Sequence, residues 1–215
     1  MLQQHCANVK IGHVYANSIA GFKFQEIKTW LLDGRFDILV ISETKIDSTF
    51  PDSQFHISGF RMCRADGTKG GGGLMAYIRS DFCFEVVNDL PNLALSEWAG
   101  YKTESIVFKV KIGKTWQTFV GIYRPPTTIK VPKTVWTNEL GSLLEAITSL
   151  PGNYFLLGYY NADLIAQDKP PKDGRSSLDL LDIYNLHNLI SSPTRIAKTS
   201  ITLLDLVITN RKKGS

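Results

Sequence analysis

Four short stretches set polar side chains just past apolar runs, where an α/β protein commonly builds a site. They are Tyr15-Ala16-Asn17-Ser18, Ser42-Glu43-Thr44-Lys45, Tyr123-Arg124-Pro125-Pro126 and Gly158-Tyr159-Tyr160-Asn161-Ala162. Glu43 offers a carboxylate, the ligand type that holds a hard cation; on its own it reads equally as a surface glutamate capping a loop. Tyr123 reads equally as an aromatic packed at a strand end, and Asn161 as a turn former. Asp205, within Leu203-Leu204-Asp205-Leu206-Val207, interrupts an apolar strand. Burying it alone is costly, so a partner is expected. The run Gly70 to Gly73 lacks the GxxxxGK[ST] spacing of a phosphate loop and precedes a strand where a helix should follow, so it reads as a turn.

The elements that must position these residues follow from period and composition. Strands are expected over 8–16, 36–42, 60–64, 73–79, 82–88, 105–112, 115–123, 154–158 and 203–209. The run Phe36 to Ser42 is almost wholly apolar, as in a strand buried on both faces. Gly113-Lys114 between two strands signals a hairpin. Helices are expected over 24–32, 133–150 and 176–185. Pro132 near the start of the second and Leu140, Leu143, Leu144 and Ile147 along one face mark an amphipathic helix. Strands outnumber helices and hairpins mix with crossovers. This predicts an α/β fold of four layers, two mixed sheets face to face with helices outside.

The 215 residues fit one domain. With 43% hydrophobic and 20% charged residues, the chain reads as globular. No apolar run approaches the ~20 residues of a membrane span. The polar stretch Met1 to Lys10 lacks the apolar core of a signal peptide. Cys6, Cys63 and Cys83, odd in number and widely spaced, suggest reduced thiols in an intracellular protein. A net charge of +4 is compatible with nucleic acid as a partner without establishing it.

The motifs SETK (Ser42 to Lys45), GIYRPP (Gly121 to Pro126), LLGYYNADL (Leu156 to Leu164), PTR (Pro193 to Arg195) and LLDLVITN (Leu203 to Asn210) occur in that order. In this the chain resembles the endonuclease domain of non-LTR retrotransposons, a domain similar to apurinic/apyrimidinic endonucleases, over about Val9 to Asn210. The resemblance implies the endonuclease/exonuclease/phosphatase fold and Mg²⁺-dependent nicking of DNA for target-primed reverse transcription. It also implies a reverse transcriptase domain in the parent polyprotein, and work in the nucleus. Residue by residue, it implies metal binding by Glu43, phosphate contact by Tyr123, and hydrogen bonding to phosphate or attacking water by Asn161. Asp205 would orient a catalytic histidine. Lys69, Arg79, Arg124, Arg175 and Arg195 are candidate DNA contacts, each of which reads also as a plain surface charge.

The chain departs from that pattern in three places. Tyr15 stands for an asparagine, and Tyr159 for the aspartate that activates the nucleophile. A tyrosine brings no carboxylate, and its phenol titrates near 10. The terminal Ser-Asp-His expected after LLDLVITN is missing before the chain ends at Ser215. Among the other histidines, His5 and His13 near the start, His56 in a loop, and His187 give no obvious substitute. A single 1–215 domain lacking that segment is therefore expected to be inactive or strongly impaired, with weak or absent Mg²⁺ binding. Two alternatives stand: a non-catalytic DNA- or protein-binding remnant, and an active nuclease with a shifted site that uses Asp163 or Asp168.

Overall fold

Every residue from Ile38 to Ser42 is buried, as a strand covered on both faces requires. The structure, a computed structural model, describes residues 9–68, 70–88, 103–126, 133–164, 172–197 and 200–211. Strands β1 (Ile11–Tyr15), β2 (Ile38–Ser42), β3 (Phe60–Ala65) and β4 (Leu74–Arg79) form a mixed sheet in the order β1-β2-β4-β3. A second mixed sheet holds β5 (Phe84–Val86), β6 (Glu104–Ile112), β7 (Thr115–Tyr123), β8 (Asn153–Tyr159), β9 (His187–Asn188) and β12 (Asp205–Thr209), in the order β5-β6-β7-β8-β12-β9. A separate hairpin, β10 (Arg195–Ala197) and β11 (Ser200–Thr202), leads into β12.

The helices α1 (Phe22–Leu32), α2 (Lys133–Thr148) and α3 (Lys172–Ile183) make the outer layers. Phe24, Ile27 and Leu31 of α1 cover Leu39 and Ile41 of the first sheet. Leu140, Leu143, Leu144 and Ile147 of α2 and Leu181 of α3 cover Val120, Ile122 and Leu156 of the second. Between the sheets lies a third core with Ile38, Val40, Phe119, Phe155 and Leu157. This is the expected four-layer sandwich.

Strand pleating decides which side chains enter the middle layer, since alternate residues face opposite ways. Tyr154 and Leu156 of β8 face the helices, whereas Phe155, Leu157 and Tyr159 face the other sheet. On β1, Ile11 and Tyr15 pack in the middle layer and Val14 against the α1 side. On β12, Leu206 and Ile208 face outward while Val207 faces inward.

Several features depart from the expected elements. The short β9, the β10–β11 hairpin and a 3-10 turn at Asp52–Phe55 lack a period long enough to read. Helix α3 starts at Lys172 rather than Ser176. Strand β12 starts at Asp205 rather than Leu203, because side chains take the preceding amides. Asp163 Oδ1 accepts from Leu203 N–H at 3.0 Å. Thr194 Oγ1 accepts from Leu204 and Asp205 N–H at 3.1 and 3.2 Å. Asp205 thus sits at the mouth of its strand. No described helix is long and apolar enough to cross a membrane.

Candidate active site

The strand registers bring the motifs to one end of the sandwich. Tyr15 pairs with Ser42 and Ser42 with Leu74 in the first sheet. Tyr123 pairs with Tyr159 and Glu104, and Asp205 pairs with Tyr159, in the second. The backbone at this end is strained. Of the six described non-glycine residues with positive φ, five are here: Asn17, Ser18, Glu43, Lys45 and Asn161. Such conformations cost ~1–3 kcal/mol each and gather at functional sites.

The two tyrosines that stand in for the expected polar ligands meet across the sheets. The rings of Tyr15 and Tyr159 stack with centroids 4.2 Å apart and 30° between planes. The Glu43 carboxylate stands close enough to the Tyr15 and Tyr123 hydroxyls to raise both phenols. Burial, reinforced by that carboxylate, pushes both phenols well above their usual range, so both stay neutral donors. Tyr159 is also raised, chiefly by burial; the Arg195 guanidinium beside its hydroxyl pulls the other way, and Asp205 adds to the rise.

Lys45 completes the ring around Glu43. Its Nζ lies 3.4 Å from Glu43 Oε1 and donates to Asn17 Oδ1 at 2.5 Å. The glycine run holds this loop as a strap. Thr44 and Lys45 N–H donate to the carbonyls of Gly73 and Gly72 at 3.1 and 2.9 Å. Gly73 N–H donates to Glu104 Oε2 at 2.5 Å. Gly72 and Gly73 have φ of +78° and +88°, and a Cβ there would strike Glu104 and the Thr44 hydroxyl. The run is thus a close-packed turn, consistent with the expectation that it is no phosphate loop.

Asp205 finds its expected partner in His13. The pleat that sends Tyr15 into the middle layer sends His13 there too. His13 Nδ1 lies 3.0 Å from Asp205 Oδ1, and its side chain is 2% exposed. The ring's Nε2 is 2.9 Å from the hydroxyl of Ser42. The Asp205 contact is close without the alignment of an in-line hydrogen bond. Burial alone would raise the Asp205 carboxyl; hydrogen bonding from His13 and Thr194 and the His13 charge bring it below its ordinary value. With Nε2 on the fully buried Ser42 and Nδ1 against Asp205, this chain of contacts ties the sheets together.

A groove of about 1030 Å³ opens beside these groups, lined by β1 from Ile11 to Tyr15 and by Asn17, Tyr159, Asn161, Arg195 and Asp205 among others. Asn161 lines it while its Nδ2 donates to the Arg124 carbonyl at 2.7 Å.

The candidate DNA contacts scatter. Arg195 is exposed at the groove, and Arg175 is exposed on α3. Arg124 is 1% exposed, its guanidinium stacked over Trp136 and Tyr160 at 5.2 and 5.0 Å. This is a packing position, not a DNA-facing one. Arg79 is at the far end of the six-residue β4 from Leu74, and pairs with Asp37 and Asp81. Its charge is spent there, away from the site. Lys69 and Asp168 lie outside the described residues. Asp163 is tied to Leu203.

A hydrated Mg²⁺ asks for an octahedron of oxygens, usually one or two carboxylates with several waters. Glu43 is already surrounded by two phenols and an ammonium, Glu104 by the glycine strap, and Asp205 by His13. Among the described residues no three His, Cys, Asp or Glu converge as a metal set. The described residues do not fit the ion.

No protein-family model and no curated protein matches the sequence. Solved structures do. A 3′ phosphatase, NExo, from Neisseria, bound to product DNA hairpin, matches 94% of this chain and 86% of its own, at TM-score 0.69 and 17% identity. An AP endonuclease from Archaeoglobus fulgidus matches 94% and 87%, at 0.68 and 16%. The endonuclease domain of TRAS1, a telomere-specific non-LTR retrotransposon, matches 91% and 82%, at 0.63 and 15%. The fold is that of the endonuclease/exonuclease/phosphatase proteins. Within that fold, sequence reasoning missed His13, Lys45, Thr194 and Glu104. Only His13 had a usable signal, being two residues before Tyr15 and therefore on the same strand face.

Proposed function

We propose that this chain is a nucleic-acid-binding derivative of a retrotransposon-type DNA endonuclease domain, with the phosphodiester hydrolysis step lost. The Tyr15–Tyr159 stack carries the reading. The resemblance places a polar ligand and the nucleophile-activating aspartate at these two positions. Two aromatic rings in contact supply neither, and they take the room of a water and a cation. Loss of a general acid or base alone costs ~10²–10⁴-fold in rate, and such losses in a shared site are not additive.

Binding is supported by what remains. The loops at this end are strained, Arg195 faces the groove, and the chain is net basic, +4. Fluorescence anisotropy with a labelled DNA duplex tests it. The expected result is binding that weakens linearly on a log–log plot against salt, as counterion release requires, with the DNA recovered intact. Absence of binding at low salt would sink the reading.

A further inference from the structure

From the surroundings of Glu43 we infer that the Lys45 ammonium is the resident cation of this site, and that the cleft takes a DNA phosphodiester through it without a divalent ion. The inference rests on the nucleic-acid reading above and adds how the phosphate is met.

Three observations carry it. Lys45 Nζ is placed between two oxygens of the strained loops, 3.4 Å from Glu43 Oε1 and 2.5 Å from Asn17 Oδ1. It is held there by the backbone: Lys45 itself has φ of 54°, and its N–H is fixed to the Gly72 carbonyl. Its side chain keeps 25% exposure, and Asn17, to which it donates, lines the groove, so the ammonium sits at the groove's edge. An ammonium carries three N–H groups, and the two contacts use at most two of them. The phenols of Tyr15 and Tyr123 also stand beside Glu43. A dication on Glu43 would have to displace them and stand beside a like charge.

The charge balance gives the consequence. Glu43 with Lys45 sums to zero, whereas one carboxylate with a dication leaves one positive charge. The exchange gives a weaker pull on phosphate, with Arg195 lining the groove as a further cation. Divalent ions then act only as bulk salt.

The test uses the whole chain. Mn²⁺ is titrated into the protein and free ion followed by electron paramagnetic resonance. Anisotropy with a labelled duplex is measured in EDTA and in Mg²⁺ at matched ionic strength. The expected result is no stoichiometric Mn²⁺ binding and a dissociation constant no tighter in Mg²⁺ than in EDTA. Lys45→Ala is expected to weaken binding and lower the salt slope by about one, the signature of a lost phosphate contact, and Lys45→Arg to restore the slope. Stoichiometric Mn²⁺ uptake, or tighter binding in Mg²⁺, overturns the inference while leaving the nucleic-acid reading standing. An unchanged salt slope in a folded Lys45→Ala protein also overturns it. If the wild type binds no duplex in either buffer, the nucleic-acid reading itself fails.

Discussion

His13 on β1 and Asp205 on β12 meet across the two sheets, Nδ1 to Oδ1, at 3.0 Å. Asp205 thereby gains a partner from the first strand of the chain. The contact has a pH signature. Asp205 titrates below its ordinary value in the fold. A group with a depressed folded pKa contributes stability that is fully present above its unfolded value, about 3.9 for Asp, and lost as pH falls through the folded value. Urea unfolding should show Asp205→Asn less stable at pH 7, by about 1–3 kcal/mol, the range for leaving a buried polar partner unsatisfied. The gap to wild type should narrow below pH 4. An equal gap at pH 7 and pH 3 would contradict this.

The tyrosine stack should be structural as well as obstructive. Tyr159 is 7% exposed in the inter-sheet core. Tyr159→Ala should cost about 3–5 kcal/mol, the range for removing a buried aromatic. Tyr159→Phe keeps the ring and should cost far less. Denaturation midpoints at constant m-value measure both; a small loss in the alanine variant would mean the rings do not pack as described.

Within the glycine strap, position decides tolerance. Gly73→Ala adds a Cβ against the Thr44 hydroxyl at a φ of +88°. It should destabilise by about 1–3 kcal/mol and disturb the Lys45 loop. Gly71→Ala meets nothing within 4 Å and should change stability by no more than about 0.5 kcal/mol. Equal effects at the two sites would refute the strap.

Thiol labelling followed by site-resolved mass spectrometry should separate Cys63 from Cys83. Burial pushes the Cys63 thiol up to about 12, and it is 9% exposed. Cys83 is exposed. Iodoacetamide at pH 8 should modify Cys83 readily and Cys63 only after unfolding. Fast labelling of Cys63 in the native state would contradict its placement.

Much of this was legible beforehand for a physical reason. The buried strands and amphipathic helices carry the long periods that sequence reveals, and their order yields the four layers. Glu43, Tyr123, Tyr159 and Asn161 fall at or just past strand ends, so the strand reading alone places them together, whereas Asp205 reads as lying within its strand. Contacts between strands distant in sequence are invisible to period. His13 looked idle beside Asp205, 192 positions later, until the pleat set both in one layer. Arg79 and Arg124 looked like free cations because charge in a sequence carries no sign of its partner; one is ion-paired and the other buried under aromatics. Lys45 shows in the sequence only as part of a polar stretch, because its role depends on a loop geometry that strained backbone produces.

The central claim, that the tyrosine-filled site does not hydrolyse DNA, is tested most directly by nicking of supercoiled plasmid in Mg²⁺ and in Mn²⁺, with Glu43→Ala as the control. The predicted result is that wild type nicks no faster than Glu43→Ala in either metal. Nicking by wild type that disappears in Glu43→Ala would show a working metal centre at Glu43 and contradict the account.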